Sequence, residues 1–245
     1  MNGPAIGNCR GVCLAEVLIA LTAGAVVLSA TVQSLDHFER RLSKQHVEAA
    51  QAQDLRIGLK VLEDELRLIG PGASASEPPL HVAGRQDIEF SANLGGLVTT
   101  LTDSISPVQQ ELPVVSGADW PKGKRILVCD RERCAESRLA RDGRKALLSL
   151  TAPLAYDFAA GSEVRVANRV RYYVKTDRNG PARVMRDVDG GANPFIGEIA
   201  RFQFSYFDQT GAPTTDPFRV TRVRIDAAVG EGRQRAIRDI GFRGR

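Results

Sequence analysis

The chain has 245 residues, of which 43% are hydrophobic and 25% are charged, values that are ordinary for a globular protein with a buried core. Its 33 basic and 29 acidic side chains give a net charge of only +4, which gives little support for a nucleic-acid or membrane-surface partner. We therefore expect one folded domain with an appendage.

The first predicted element is an apolar helix near the N-terminus. Residues 17–35 contain no charged side chain, a length close to the ~20 residues that a helix needs to cross the hydrocarbon core of a bilayer. Glu16 lies at the start of this segment, where a carboxylate in hydrocarbon costs about 3 kcal/mol. We predict a membrane helix over about residues 14–35 and a compensating partner for its acid.

Two ordinary explanations compete for the same segment. A secretory signal peptide would use Arg10 as its basic region, residues 14–22 as its apolar stretch and Ala23–Ala25 as its cleavage site. Glu16 would then lie inside the apolar stretch, which counts against the signal-peptide explanation. A plain uncleaved anchor is also possible, but it leaves the acid unexplained.

A third explanation comes from the stretch "RGVCLAEVLIAL", which resembles the class III leader of prepilins and pseudopilins. The resemblance implies that a prepilin peptidase cleaves after Gly11 and methylates the new N-terminal residue, Val12. Glu16 is then the fifth mature residue, as in that family, where it pairs with the α-amino group of a neighbouring subunit in low-dielectric surroundings. Val12 departs from the usual Phe or Met.

The resemblance also implies a domain organisation and a location. Residues 1–11 would be the cleaved leader, 12–70 a long helix and 71–245 an antiparallel β domain in the periplasm or at the cell surface. The expected partners are the prepilin peptidase, other major and minor pilins or pseudopilins and the inner membrane, with no cofactor. Three basic residues follow the segment: Arg40, Arg41 and Lys44. The positive-inside rule alone would therefore place the C-terminal side in the cytoplasm, but we give the leader motif precedence.

The helix is predicted to continue past the membrane, because no proline occurs between Pro4 and Pro71. Its second half, "LKVLEDELRLIG", resembles the end of the long helix in minor pilins, and residues 70–72 would end it. One face carries a narrow apolar stripe that we expect to pack on a sheet: Leu55, Leu59, Leu62, Leu66 and Ile69. On the opposite face, Glu63 and Arg67 form an expected ion pair.

Beyond Pro71, short alternating runs divided by turn residues predict antiparallel strands. Residues 163–175 read as one strand with apolar and basic faces, and Asn179–Gly180 as a turn. Further strands are expected at "RILVC", "ALLSL", "ARVMRDV", "RFQFSYF" and "RVTRVRIDAAV". The segments "FQFSYFDQTG" and "VTRVRI" resemble the closing strands of minor pilins of type IV pili and of the J-type minor pseudopilin of type II secretion. We expect an α+β fold, a long N-terminal helix packed on an antiparallel β-sheet domain.

The downstream cysteines suit a disulfide. Cys129 and Cys134 flank four polar residues, as opposed positions at the mouth of a hairpin would, and such a pair oxidises on the exported side of a membrane. If the chain is not exported, both thiols stay free. A metal site is not expected, because two thiols without a nearby His or second pair are too few ligands.

The sequence offers no catalytic arrangement. No Ser or Cys stands at a spacing from the histidines that would indicate a catalytic pair; these are His37, His46 and His81. The stretches "DVDGG" and "DQTG" read as turns rather than calcium loops. The arginine-rich residues 219–245 read as the wet face of an edge strand, so nucleic acid is an unlikely partner.

These observations predict a structural, non-enzymatic minor pilin or pseudopilin subunit. It would act in filament initiation or tip assembly of a type IV pilus or a type II secretion pseudopilus. The alternative is an exported, membrane-anchored binding or carbohydrate-active protein whose N-terminus is an ordinary anchor or signal sequence. The alternative predicts cleavage after Ala25 or no cleavage.

Overall fold

The computed structural model of the protein describes residues 14–69, 78, 80–178, 180–230, 232 and 234–242. The chain divides into two compact units, residues 1–50 and 51–245. The described residues form one helix and fourteen strands: α1 Leu14–Arg67, β1 Leu80–Ala83, β2 Asp87–Ala92, β3 Val98–Thr100, β4 Glu111–Pro113, β5 Arg125–Cys129, β6 Cys134–Arg138, β7 Leu147–Ser149, β8 Glu163–Val166, β9 Asn168–Lys175, β10 Arg183–Val188, β11 Gly191–Ile196, β12 Ile199–Phe207, β13 Arg222–Val229 and β14 Gln234–Gly241.

The strands pair in antiparallel fashion throughout, so the predicted α+β layout of a long apolar N-terminal helix and antiparallel sheets is confirmed. A five-stranded sheet has the order β1-β2-β9-β10-β11, and a three-stranded sheet has the order β12-β13-β14. A four-stranded sheet has the order β3-β8-β5-β6, and β4 pairs with β7.

The main core lies between the second half of α1 and the five-stranded and three-stranded sheets. The predicted apolar stripe is confirmed, because its side chains are between 0 and 4% exposed: Leu55, Leu59, Leu62, Leu66 and Ile69. Each such burial contributes about 1.5–3 kcal/mol, so this half of the helix is held mainly by the hydrophobic effect. The expected ion pair of Glu63 and Arg67 forms on the other face.

Gly58 lies on this buried face, although glycine in a helix interior costs about 1 kcal/mol relative to alanine. A Cβ atom at this position would lie 2.5 Å from Cγ1 of Ile196, on the edge strand β11. The absence of a side chain therefore lets the helix and β11 approach closely.

A second core is built from the residues between β2 and β9. These two strands pair directly, with Ala92 opposite Asn168, so residues 93–167 form an excursion that leaves and rejoins the five-stranded sheet at one point. The excursion contains the four-stranded and two-stranded sheets. Its buried side chains form a cluster of their own, which includes Trp120 and Phe158. The described part of the predicted β domain thus contains a second hydrophobic core, beside a small third cluster of Leu127, Cys129 and Ala167.

The prediction of a single strand over residues 163–175 is wrong. The chain forms β8 and β9, which join different sheets on either side of Ala167. Val164 is buried in the second core, whereas Tyr172 is buried in the main core. The alternation of apolar and polar residues continues across the break, because every second side chain is buried on both sides of it. Periodicity alone therefore could not reveal the change of sheet.

The turns agree with the sequence where the structure describes them. Asp189 and Gly190 have φ values of 55° and 93°, and they join β10 to β11 in a tight hairpin turn. Asp208 accepts hydrogen bonds from the backbone of Thr210 and Ala212, which closes the turn after β12. The predicted turn residue Asn179 and the predicted helix stop at 70–72 lie outside the described residues.

A buried polar network fastens the helix to the five-stranded sheet. Glu65 lies on the buried face of α1 and is 8% exposed. The Tyr172 hydroxyl donates a hydrogen bond to Glu65 Oε2 at 2.5 Å, and Arg186 donates from Nε to the same oxygen at 3.2 Å and from Nη2 to Oε1. Burial, reinforced by this bond to Glu65, raises the pKa of Tyr172. The phenol therefore stays protonated and able to donate.

We predict that Glu65→Ala destabilises residues 51–245 by about 3 kcal/mol, because it leaves Tyr172 and Arg186 without their shared acceptor. Urea unfolding of the full-length protein in detergent measures the loss. The matched control is Asp64→Ala, which removes only an exposed pair with Lys60 and should cost less than about 0.5 kcal/mol. Equal losses in the two variants would contradict a stabilising role for the buried network.

Candidate functional site

The N-terminal part of α1 carries an exposed apolar surface. Among the described residues, α1 is the one helix long and apolar enough to cross a membrane. Its large apolar side chains between residues 14 and 38 are all exposed: Leu14, Val17, Leu18, Ile19, Leu21, Val26, Val27, Leu28, Val32, Leu35 and Phe38. Such a surface marks contact with lipid or with other protein. The segment is suited to cross a membrane once.

Two threonine side chains within this segment form hydrogen bonds to the backbone of the helix. The Thr22 hydroxyl donates a hydrogen bond to the carbonyl of Ile19, and the Thr31 hydroxyl donates to the carbonyl of Val27. An unpaired hydroxyl in hydrocarbon would be costly, and these bonds remove that cost. The segment then gives way to charged residues, with an ion pair between Asp36 and Arg40 at 2.9 Å.

Glu16 is the charged exception in the segment. Its side chain is exposed, and no basic side chain of the described residues forms an ion pair with it. The next Lys or Arg in the chain is Arg40, about 36 Å further along a helix that rises 1.5 Å per residue. A compensating cation must therefore come from the residues before Leu14 or from another molecule. The predicted cleavage and methylation sites, Gly11 and Val12, lie outside the described residues.

The two downstream cysteines close the hairpin of β5 and β6. Cys129 lies opposite Cys134 in the register, and the two sulfur atoms are 2.03 Å apart, in agreement with the expected disulfide. Asp130 accepts backbone hydrogen bonds from Glu132 and Arg133 at 2.8 Å each, and these bonds lower the pKa of its carboxyl. The four-residue loop is therefore ordered by its own backbone.

The arginines of the C-terminal strands pair with acidic side chains on the same exposed face of the sheet. Arg224 pairs with Asp239 at 2.9 Å, and Arg235 pairs with Asp226 at 2.8 Å. The Arg222 guanidinium lies 4.7 Å from the centre of the Phe207 ring. These contacts occupy one face of the three-stranded sheet, as expected for a wet sheet face, and they leave fewer free cations for an external polyanion.

The histidines are not gathered into a site. His37 and His46 are exposed on α1, and His81 on β1 lies with Nε2 2.8 Å from Ser91 Oγ. Within the described part of the chain, no group of three or more His, Cys, Asp or Glu side chains is placed to hold a metal ion.

Sequence reasoning missed the acid that links the helix to the sheet. Glu65 stands three residues after Leu62 and next to Leu66, so an acid on the predicted buried stripe was the available signal. Its partners, Tyr172 and Arg186, are more than 100 residues away, and no local pattern connects them. In the sequence, the interaction was therefore visible only as an acid, Glu65, without an evident partner on the predicted buried face.

We predict that peptide mapping without reductant recovers one cross-linked species joining Cys129 and Cys134. In the chain-entropy model a loop this short contributes about 2 kcal/mol, so reduction should lower the free energy of unfolding by about that amount. A Cys129→Ala/Cys134→Ala variant should show the same loss and no response to reductant. Free thiols at both positions in freshly isolated protein would argue against the bond and against an oxidising location.

Comparison with known proteins leaves the function to be argued from the chain itself, since no family model, no curated protein and no solved structure matches it.

Proposed function

We propose that the protein is a membrane-anchored, non-enzymatic minor subunit of a pilus-like filament, in a type IV pilus or a type II secretion pseudopilus. The observation that carries the proposal is the two-part character of α1. Its first part exposes apolar side chains interrupted by one acid, Glu16, and its second part is fastened to an α+β body. A filament subunit needs both, because one part packs among neighbours and the other displays a folded domain.

The proposed assembly contact uses Glu16. Cleavage after Gly11 would create an α-amino group on Val12, and the Glu16 carboxylate of one subunit would pair with that group on another. Opposite charges attract far more strongly in a low-dielectric helical bundle than in water, and each would relieve the desolvation cost of the other. Cleavage would remove Arg10 with the leader, and the next Lys or Arg after Glu16 is Arg40, which supports a partner on a different chain.

The folded part would act outside the membrane. In this proposal residues 71–245 lie in the periplasm or at the cell surface, and the subunit helps to initiate the filament or to form its tip. A prepilin peptidase and other pilins or pseudopilins would be its partners. The four-strand and two-strand excursion between β2 and β9 enlarges the displayed surface, which suits a subunit present at a filament end.

We predict that the protein isolated from membranes begins at Val12 and that this residue is N-methylated. Intact-mass analysis before and after deletion of the prepilin peptidase measures both changes. In cells without the peptidase, Met1 should be retained. A mature N-terminus at Val26, or retention of Met1 in cells that contain the peptidase, would instead favour the exported protein with an ordinary signal or anchor.

We predict that Glu16→Ala leaves membrane insertion and leader cleavage intact but reduces co-purification with filament partners about tenfold or more. Insertion should not suffer, since the substitution removes a desolvation penalty, whereas the docking contact loses its charge. Glu16→Gln, which keeps size and hydrogen-bonding capacity, should fail in the same way. The matched control is Glu39→Gln, an exposed acid beyond the apolar segment, which should assemble normally. Normal filament output with both Glu16 variants would refute the docking role.

A further inference from the structure

A charged cleft opens where the excursion meets the five-stranded sheet. Its volume is about 400 Å³, and all of its lining residues belong to residues 51–245. The four-stranded sheet contributes Arg125 from β5 and Arg138 from β6. The outer face of the five-stranded sheet and the turn after β10 contribute the rest of the lining: Glu89, Arg169, Arg171, Asp187, Asp189 and Gly190.

The basic groups on the five-stranded sheet are already neutralised. Arg169 pairs with Glu89, and Arg171 donates from Nε to Asp87 at 3.0 Å. Lys124, beside the cleft, pairs with Asp189 at 3.3 Å. These pairs leave little net charge on that wall, so the unbalanced charge of the cleft lies on the opposite wall.

The opposite wall holds two arginines in an unfavourable arrangement. Arg125 and Arg138 face each other directly across the β5–β6 pair, a register that destabilises a sheet when both side chains have the same charge. The Arg125 side chain is 13% exposed, and its only ion-pair contact in the described residues is Glu136 Oε1, 3.2 Å from Nε. That Nε is buried and makes no hydrogen bond. Within the same residues Arg138 forms no ion pair.

We propose that this cleft binds a small oxyanion between Arg125 and Arg138. A phosphate, sulfate or carboxylate group would accept hydrogen bonds from the terminal guanidinium nitrogens of Arg125 and Arg138, whose planar forks match oxyanion geometry. It would also neutralise the repulsion between the two arginines. The volume lies within the range of small-molecule sites. The inference is independent of filament assembly and holds whichever N-terminal processing occurs.

The acids on the other wall set the size of the ligand. Glu89 and Asp189 are already paired, but Asp187 also lines the cleft and forms no ion pair among the described residues, so a ligand with anionic charge along its whole length would meet repulsion there. A single oxyanion at the arginine wall avoids these carboxylates. The site therefore favours a small singly anchored anion over a polyanion such as nucleic acid.

The test measures the midpoint of thermal unfolding of the full-length protein in non-ionic detergent as phosphate, sulfate or acetate replaces chloride at constant ionic strength. We expect the unfolding midpoint to rise and saturate with at least one of the three anions. Comparison of the three anions then identifies which oxyanion the site prefers. Phosphate and sulfate also stabilise proteins generally by exclusion from the surface, so the comparison that matters is between variants.

Arg138→Gln should lose the saturable rise, while its midpoint in chloride should be unchanged or higher because the like-charge contact is gone. The matched control is Arg131→Gln, an exposed arginine in the loop of the same hairpin, which should retain the rise. Both variants remove one positive charge, so a general electrostatic effect would appear in both. An equal rise in all three proteins, or no saturable rise in the wild type, would overturn the proposal.

Equilibrium dialysis of radiolabelled phosphate against the wild-type protein gives a second measurement that needs no variant. Bound phosphate should be displaced by unlabelled phosphate but not by an equal charge of a short oligonucleotide. Displacement by both to the same extent, or no binding above a chloride-matched blank, would also overturn the proposal. Displacement by unlabelled phosphate alone would support it.

Discussion

The main core of residues 51–245 depends on the burial of one leucine stripe. The second half of α1 places its stripe between two sheets, and the same interface must also accommodate the carboxylate of Glu65. A buried acid is tolerated only with partners, and Tyr172 and Arg186 supply them from adjacent strands of the five-stranded sheet. The hydrophobic stripe thus provides most of the stabilisation, and the polar contact joins the helix to β9 and β10.

The excursion between β2 and β9 adds a second core without disturbing the first. Because both ends of residues 93–167 lie at one point of the five-stranded sheet, the excursion can fold on its own apolar cluster while β2 and β9 still pair. The excursion also creates a junction at which two charged sheet faces meet. The arginine wall of the cleft lies at that junction, so the arrangement of charge there follows from the insertion of one sheet system beside another.

The same helix meets two different environments, and its composition follows them. Residues 51–67 alternate buried leucines with exposed charges, as a helix on a sheet requires. Residues 17–35 instead expose apolar side chains, and the hydroxyls of Thr22 and Thr31 donate to backbone carbonyls of the helix, as suits a helix in a solvent without hydrogen-bonding capacity. Glu16 lies at the start of this segment and is charged.

Local patterns in the sequence determined the apolar segment, the leucine stripe, the positions of about half of the fourteen described strands and the cysteine hairpin, because each depends on the spacing of nearby residues. They did not determine that residues 163–175 divide between two sheets, since both halves bury every second side chain. Nor could they place Arg125 opposite Arg138, or bring Tyr172 and Arg186 to Glu65. Those contacts join residues between 13 and 121 positions apart, and only the tertiary structure, through strand register and sheet packing, decided them.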